Sequence, residues 1–176
     1  AATNQLYARL LNSPFIDGLD DSLYGVFLKI SKNSLELFRE ENLPLFQQLS
    51  LKRQRYGAIT GGITIDYNGQ EFTLQQAAKF LKSTDREVRE TIFKKVNDRR
   101  LQEAGKLDVL LDELIALRQQ VAHNAGFDNY RDYKHRELNR FDYTPEDCYT
   151  FHQAVEQCTV PLLTKLQLER KEKLGV

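Results

Sequence analysis

The sequence specifies a mainly α protein, a multi-helical lobe carrying one short β-hairpin at about residues 62–73. Three observations lead there. Apolar residues over most of the chain recur at spacings of three and four, the helical rhythm. Only GGITIDYNGQEFT switches to alternation, and it holds an Asn-Gly pair, the dipeptide favoured where both centres of a two-residue turn need positive φ. Helix-start signals then recur at Thr73, Thr84 and Thr144.

From Asp20 to about Arg55, Leu23, Val26, Phe27, Ile30, Leu35, Leu37 and Phe38 follow the helical period. Pro44 should kink or divide this stretch near Asn42 and Leu43, because its ring clashes with the preceding turn. Ile63, Ile65 and Tyr67 alternate with Thr64 and Asp66, so strands at 62–67 and 70–73 join through Asn68-Gly69. A lone hairpin is marginal in water and must lie against helices or extend another strand. Thr73 and Gln76 form a reciprocal capping pair opening a short helix, and Thr84 with Glu87 repeats the pattern.

A long helical stretch follows, with a stripe of Val88, Ile92, Val96, Leu107, Leu110, Leu111, Leu114, Val121 and Ala125. Gly105 is its weakest point, and Gly126 suits the left-handed residue that ends a helix. DREVRETIFKKVNDRR pairs Asp85 with Arg89 and Arg86 with Glu90 at helical spacing, which describes a solvated face. Thr144-Pro145-Glu146-Asp147 is a further helix start: a capping hydroxyl, a proline where no N–H is needed, and acids at the positive dipole end. Its buried stripe should be Cys148, Phe151, Val155, Cys158, Leu162 and Leu166, with Pro161 bending the helix without ending it.

The chain has 176 residues, enough for one substantial core, with 25 Lys plus Arg against 25 Asp plus Glu. No long-range field favours polyphosphate or anionic membrane. No apolar run approaches the ~20 residues of a bilayer span, and the first residues lack the pattern of a secretory signal, so cytoplasm is expected. Cys148 and Cys158 stand ten apart on one expected helix, roughly 15 Å, too far for a disulfide. They read as free thiols.

A zincin needs H-E-x-x-H on a helix, two imidazoles facing one metal beside a base. The histidines here are His123, His135 and His152, and none begins that motif. His152 reads as a helix-flank residue bonded to a local carboxylate such as Glu156, and His123 as a partner of a helix carboxyl end. NYRDYKHRELNRFDYTPED interleaves rings with charge, as single-stranded nucleic-acid binders do, but its five acids outnumber its four bases, against a phosphate track.

YGAITGGITIDYNGQEFTLQQAAKFLKSTDREVRE, RQQVAHNAGFDNYRDYKHRELNRFDYTPEDC and VPLLTKLQLERKEKLGV together resemble the oligoendopeptidase F family of zinc metallopeptidases, over about residues 55–176. That resemblance implies a helical enzyme that cleaves short peptides in a deep cleft, with zinc held by H-E-x-x-H and a downstream glutamate. All of that apparatus would lie beyond the segment matched. It further implies an amino-terminal portion: residues 1–55 a helical lobe, and 56–176 the hairpin and helices leading toward the zinc domain, or one compact unit. Tyr130, Arg140 and Tyr143, with Asp142 between them, would belong to helix-connecting structure lining one wall of the peptide cleft.

The chain is therefore expected to be inactive alone, to bind no zinc itself, and to meet short peptides only with the rest of the enzyme. A face meant for the catalytic domain could be exposed and drive self-association. A stand-alone helical binding module derived from the peptidase lobe is the alternative, and zinc shared between histidines of several copies is a third.

Overall fold

The computed structural model describes residues 2–175. The elements begin with helix α1 (Ala2–Leu11), a 3-10 turn (Ile16–Gly18), α2 (Asp21–Leu37) and α3 (Asn42–Gly61). The hairpin β1 (Thr64–Tyr67) and β2 (Gln70–Thr73), the short α4 (Leu74–Ala77) and a second 3-10 turn (Phe80–Lys82) follow. Next come α5 (Arg86–Leu101), α6 (Ala104–Asn124), α7 (Tyr130–Glu137), α8 (Pro145–Ala154), a π-helical turn (Val155–Thr159) and α9 (Val160–Leu174). The fold is mainly α with one hairpin. Two compact units form: Ala1–Phe38 with Phe127–Val176, and Arg39–Gly126.

In the second unit the hairpin supplies the core. Thr64 pairs with Thr73 and Ile65 with Phe72, and the turn residues Asn68 and Gly69 have φ of 55° and 74°. Strand alternation turns Ile65 inward to meet Ala77, Ile92 and Val96, with Tyr67, Phe72, Leu74, Phe80 and Val88 packed around them. The hairpin therefore lies on α5, the support that two strands alone require. Thr73 and Gln76 make the reciprocal cap that opens α4.

α3 pairs with α6, burying Leu45 and Leu49 on one helix and Leu110, Leu114 and Val121 on the other. Lys52 and Glu113 bridge them at 2.6 Å. Buried Asn42 donates to the Val121 carbonyl at 3.0 Å and accepts from the Asn124 amide at 2.8 Å, locking the start of α3 to the end of α6. Pro44 sits in the first turn of α3, where its missing N–H leaves no ladder bond unmade, and the chain breaks just before it, at 38–41. Gly126, at φ 86°, ends the α6 region in left-handed backbone.

Several local expectations change. Asp85 caps α5, accepting from the Glu87 N–H at 2.9 Å, and Arg89 fastens the approach by donating to the Ser83 and Thr84 carbonyls. A carboxylate is the stronger acceptor, and it displaces the Thr84 cap. Glu90 pairs with Lys94 at 2.6 Å, so the sequence pairs of Asp85 with Arg89 and Arg86 with Glu90 do not form the hydrogen-bonded contacts. Helices α5 and α6 part at Gln102 and Glu103, where Glu103 takes both Arg99 and Lys106; Gly105 already lies inside α6. Leu111 is exposed: the buried arc of α6 is narrower than the apolar one.

In the first unit α1 packs on α2, with the Tyr7 and Phe27 rings edge to face at 6.2 Å. The residues α2 buries are Gly25, Ser31 and Asn33, whereas Leu23, Val26 and Phe27 are exposed. Thr144 caps α8 with Asp147 returning the bond, as the sequence requires. The expected buried stripe from Cys148 to Leu166 is absent: no residue of α8, the π turn or α9 is buried, and Phe151 is 65% and Leu162 58% exposed. Of that stripe only Cys148 and Val155 are half-buried. Pro161 does shape the helix, since the π turn immediately before it widens the backbone where a proline ring would strike the carbonyl one turn back.

Ile92 is fully buried in the hairpin core while its neighbour Phe93 is 61% exposed. Ile92→Ala should lower unfolding free energy by roughly 2–5 kcal/mol, and Phe93→Ala by no more than about 0.5 kcal/mol; urea denaturation of the two variants checks the contrast.

Candidate functional site

A groove of about 450 Å³ runs between α7 and α8 in the first unit. Its α7 side is Tyr130, Arg131, Lys134 and His135; Leu138 and Arg140 close it from the connector, and Pro145, Cys148, Tyr149 and His152 line the α8 side. Three cations and two imidazoles face it, and no carboxylate does, in a chain whose formal charge is zero.

Sequence-local bonds place those groups. Asn129 caps α7, accepting from the Asp132 N–H at 3.0 Å and donating to its carboxylate at 2.8 Å. Asp132 grips Arg131 through two bonds of 2.8 and 3.1 Å. Arg131, and after it Asn129, hold the Asp132 carboxyl below the usual carboxylate range. Arg131 also donates to the Tyr149 hydroxyl and lies over that ring, 5.5 Å from its centroid, joining α7 to α8. These bonds raise the already high pKa of its guanidinium.

Glu137 takes Lys134 one turn on, and Arg136 pairs with Glu36 of α2 at 2.9 Å. Asp132 and Glu137 thus stay out of the groove lining, which Arg131, Lys134 and Arg140 share, while Arg136 is turned to α2.

Of the residues expected to meet peptide, Tyr130 and Arg140 line the groove, whereas Tyr143 does not. Its ring supports the Arg140 guanidinium at 5.7 Å and meets the His135 ring edge-on at 5.4 Å. Nε2 of His135 is buried and makes no hydrogen bond. Tyr130 stacks on Tyr133 at 5.9 Å, and Tyr133 packs edge-on against Phe127.

Arg131, Tyr149 and His135 were missed by sequence reasoning. Arg131 and Tyr149 are 18 positions apart, and no period connects two different helices. His152 lines the groove edge-on to Tyr149 instead of bonding Glu156. His123 bonds Gln119 at 2.7 Å in the last turn of α6. Both cysteines are free; Cys148 is half-buried on the groove and Cys158 exposed.

A second groove, of about 350 Å³, lies between α3 and α6; four leucines of α6 form most of its lining, with Tyr56, Arg53, Arg118 and Asp108 at its polar side. Among the described residues no three His, Cys, Asp or Glu side chains converge as metal ligands, so His135 and His152 in the groove do not amount to a zinc set. Among the same residues, no helix is long and apolar enough to cross a membrane.

Both helices of the groove fall in the stretch matched by the family model described as Peptidase family M3, residues 79–176. The chain belongs to Peptidase family M3. Solved structures extend the similarity over nearly all of it. A Bacillus anthracis str. Ames structure described as an oligoendopeptidase F superposes with a TM-score of 0.91 at 25% identity, covering 98% of this chain and 32% of its own. PZ peptidase A, solved with an inhibitor, gives 0.91 at 26% identity, covering 98% and 31%. A further oligoendopeptidase F structure agrees, at 0.91 and 25%, again covering 98% and 31%. The resemblance to oligoendopeptidase F seen in the sequence is thus shown. The chain spans about a third of the length of these M3-type structures. No curated protein matches it.

Tyr133 is only 3% exposed, and burial, followed by the Glu137 and Tyr130 charges, pushes its phenol from 10.0 up to about 12. The folded state holds that proton longer than the unfolded one, so the stabilisation is complete below pH 10 and lost as pH rises toward about 12. Tyr133→Phe should flatten this alkaline loss of stability, measured as unfolding midpoint against pH from 9 to 12.

Proposed function

We propose that this chain is the amino-terminal part of a zinc-dependent oligopeptidase that hydrolyses short peptides, and that the α7–α8 groove forms part of the wall against which the peptide lies. The match of Peptidase family M3 to residues 79–176 carries the reading, because that stretch holds both helices of the groove. Residues 1–55 would be the helical lobe, and 56–176 the part leading into the catalytic domain.

The chemistry of the groove supports a peptide ligand. Arg140 makes no ion pair among the described residues, and its guanidinium lies over the Tyr143 ring, leaving its donors for a peptide carbonyl or terminal carboxylate. Tyr130 offers a ring face, backed by Tyr133, to an apolar side chain. Tyr143 acts through Arg140 as a positioning residue. Zinc would be held by an H-E-x-x-H helix and a glutamate in the remainder of the parent, where it would activate the attacking water. The histidines here lack that spacing, and no step of hydrolysis is assigned to them. A cytoplasmic setting accords with two unbridged cysteines.

The purified 176-residue chain should show no chelator-sensitive peptide hydrolysis; zinc-dependent turnover by a single copy would refute the reading. In the parent enzyme, Arg140→Gln should raise KM by about tenfold or more, the ~1.5–3 kcal/mol of a charge-assisted hydrogen bond, with a smaller change in kcat. Steady-state kinetics on an unblocked short peptide reads both, and an unchanged KM would remove Arg140 from the binding wall.

A further inference from the structure

The α7–α8 groove sorts charge more sharply than a plain peptide wall requires. On α7 its lining residues Lys134, His135 and Leu138 stand three, four and seven positions after Arg131, and on α8 Cys148, Tyr149 and His152 stand three, four and seven after Pro145. At ~100° per residue, each set spans an arc of about 100° on its helix. Every acid of the two helices falls outside its arc: Asp132 and Glu137 on α7, Glu146 and Asp147 on α8. Three of the four are also engaged elsewhere. Asp132 holds Arg131 and Asn129, Glu137 holds Lys134, and Asp147 returns the Thr144 cap.

The three cations of the lining are unequal. Arg131 is fully engaged, with two of its nitrogens on Asp132 and the third on the Tyr149 hydroxyl. Lys134 makes one bond, to Glu137, and an ammonium has three donors. Arg140 lies over the Tyr143 ring and, among the described residues, its side chain makes no ion pair and donates no hydrogen bond. It is the uncompensated charge of the groove. Nε2 of His135, buried and without a hydrogen-bond partner, belongs to a residue of the same lining.

We propose that the groove selects peptides by side-chain charge: it takes the carboxylate of an aspartate or glutamate and rejects lysine and arginine, with Arg140 as the specificity-determining residue and Lys134 as its second. The inference rests on the reading of the chain as part of an oligopeptidase, and it adds the class of peptide. A guanidinium fork meets both oxygens of a carboxylate, and a carboxylate leaving water needs such donors. In this lining it would meet no like charge. A lysine ammonium in the same place would meet cations and no acid, so discrimination comes from repulsion as well as attraction. A chain end alone would need one fork, whereas Lys134 and the exclusion of all four acids go beyond that need.

Steady-state kinetics of the longer enzyme tests this on short peptides identical but for one residue, glutamate, glutamine or lysine, each made as the free acid and as the carboxyl-terminal amide. In both series kcat/KM should fall about tenfold from glutamate to glutamine, the worth of a charge-assisted hydrogen bond, and further for lysine. Added salt should shrink the preference. Arg140→Gln should bring the glutamate and glutamine peptides level, and Arg140→Glu should invert the order so that lysine leads. Lys134→Gln should weaken the preference in part. Variants that slow all three peptides alike and leave their order standing would show a merely structural role for Arg140 and overturn the assignment. Equal rates on the three peptides in an active, chelator-sensitive wild-type enzyme would overturn this inference and leave the proposed function intact, as would a preference that amidation of the peptide end abolishes. A longer protein without peptidase activity would remove both.

Discussion

The geometry of the groove depends on one buried amide. Asn33, on α2, donates to the Arg136 carbonyl at 2.7 Å and to Oδ1 of Asn139 at 2.9 Å. The first bond adds a second donor to a carbonyl at the end of α7 that already accepts the Asn139 N–H at 2.9 Å. The second holds Asn139 at φ 55°, left-handed backbone that asparagine tolerates better than most residues, and so turns the chain out of α7 into the connector. Arg140 and Tyr143 follow directly. A buried polar residue that is costly unless bonded is thereby converted into a directional constraint, which a leucine at the same place could not supply. The ion pair of Arg136 with Glu36 lies beside it on the surface and reinforces the same contact of α2 with α7.

The basic character of the groove is produced locally from a neutral chain. Asp132 and Glu137 neutralise Arg131 and Lys134 from neighbouring positions on α7, yet their carboxylates stay out of the groove lining. Arg131 is oriented from behind by the acid and meets Tyr149 in front, so its charge direction is decided by a three-residue arrangement spanning two helices. Tyr143 does the equivalent for Arg140 with its ring face. Counting charges along the segment therefore hides the property that matters, which is on which side of the helix each sign lies.

The two units achieve stability differently. The hairpin unit is held by a compact apolar cluster around Ile92 and Ala77 and by Asn42 between helix ends. The other unit relies on α1 against α2, the Asn33 contact, and rings packed around Tyr133, while its carboxyl-terminal helix α9 remains solvated. Large apolar side chains on α2, α6 and α9 lie open. That distribution accords with a chain that spans only a third of the structures it resembles.

Where local chemistry decides, the sequence by itself was sufficient. Period, proline and capping residues placed the helices, Asn68-Gly69 closed the hairpin, Thr73 and Thr144 opened their helices, and Pro161 disturbed its own. These are short-range effects, and every partner lies within a few residues. Competition between adjacent caps, as at Thr84 and Asp85, already exceeded what a pattern resolves, because two acceptors of different strength sought the same turn. Only the tertiary structure decided which apolar stripe is covered. Leu162 and Leu166 carry the same periodic signal as Ile92 and Val96, but the hairpin meets α5 and nothing described here meets α9. It alone also brought Arg131 to Tyr149 and Asn33 to Asn139, since contacts between elements distant in sequence are set by packing, which no single helix encodes.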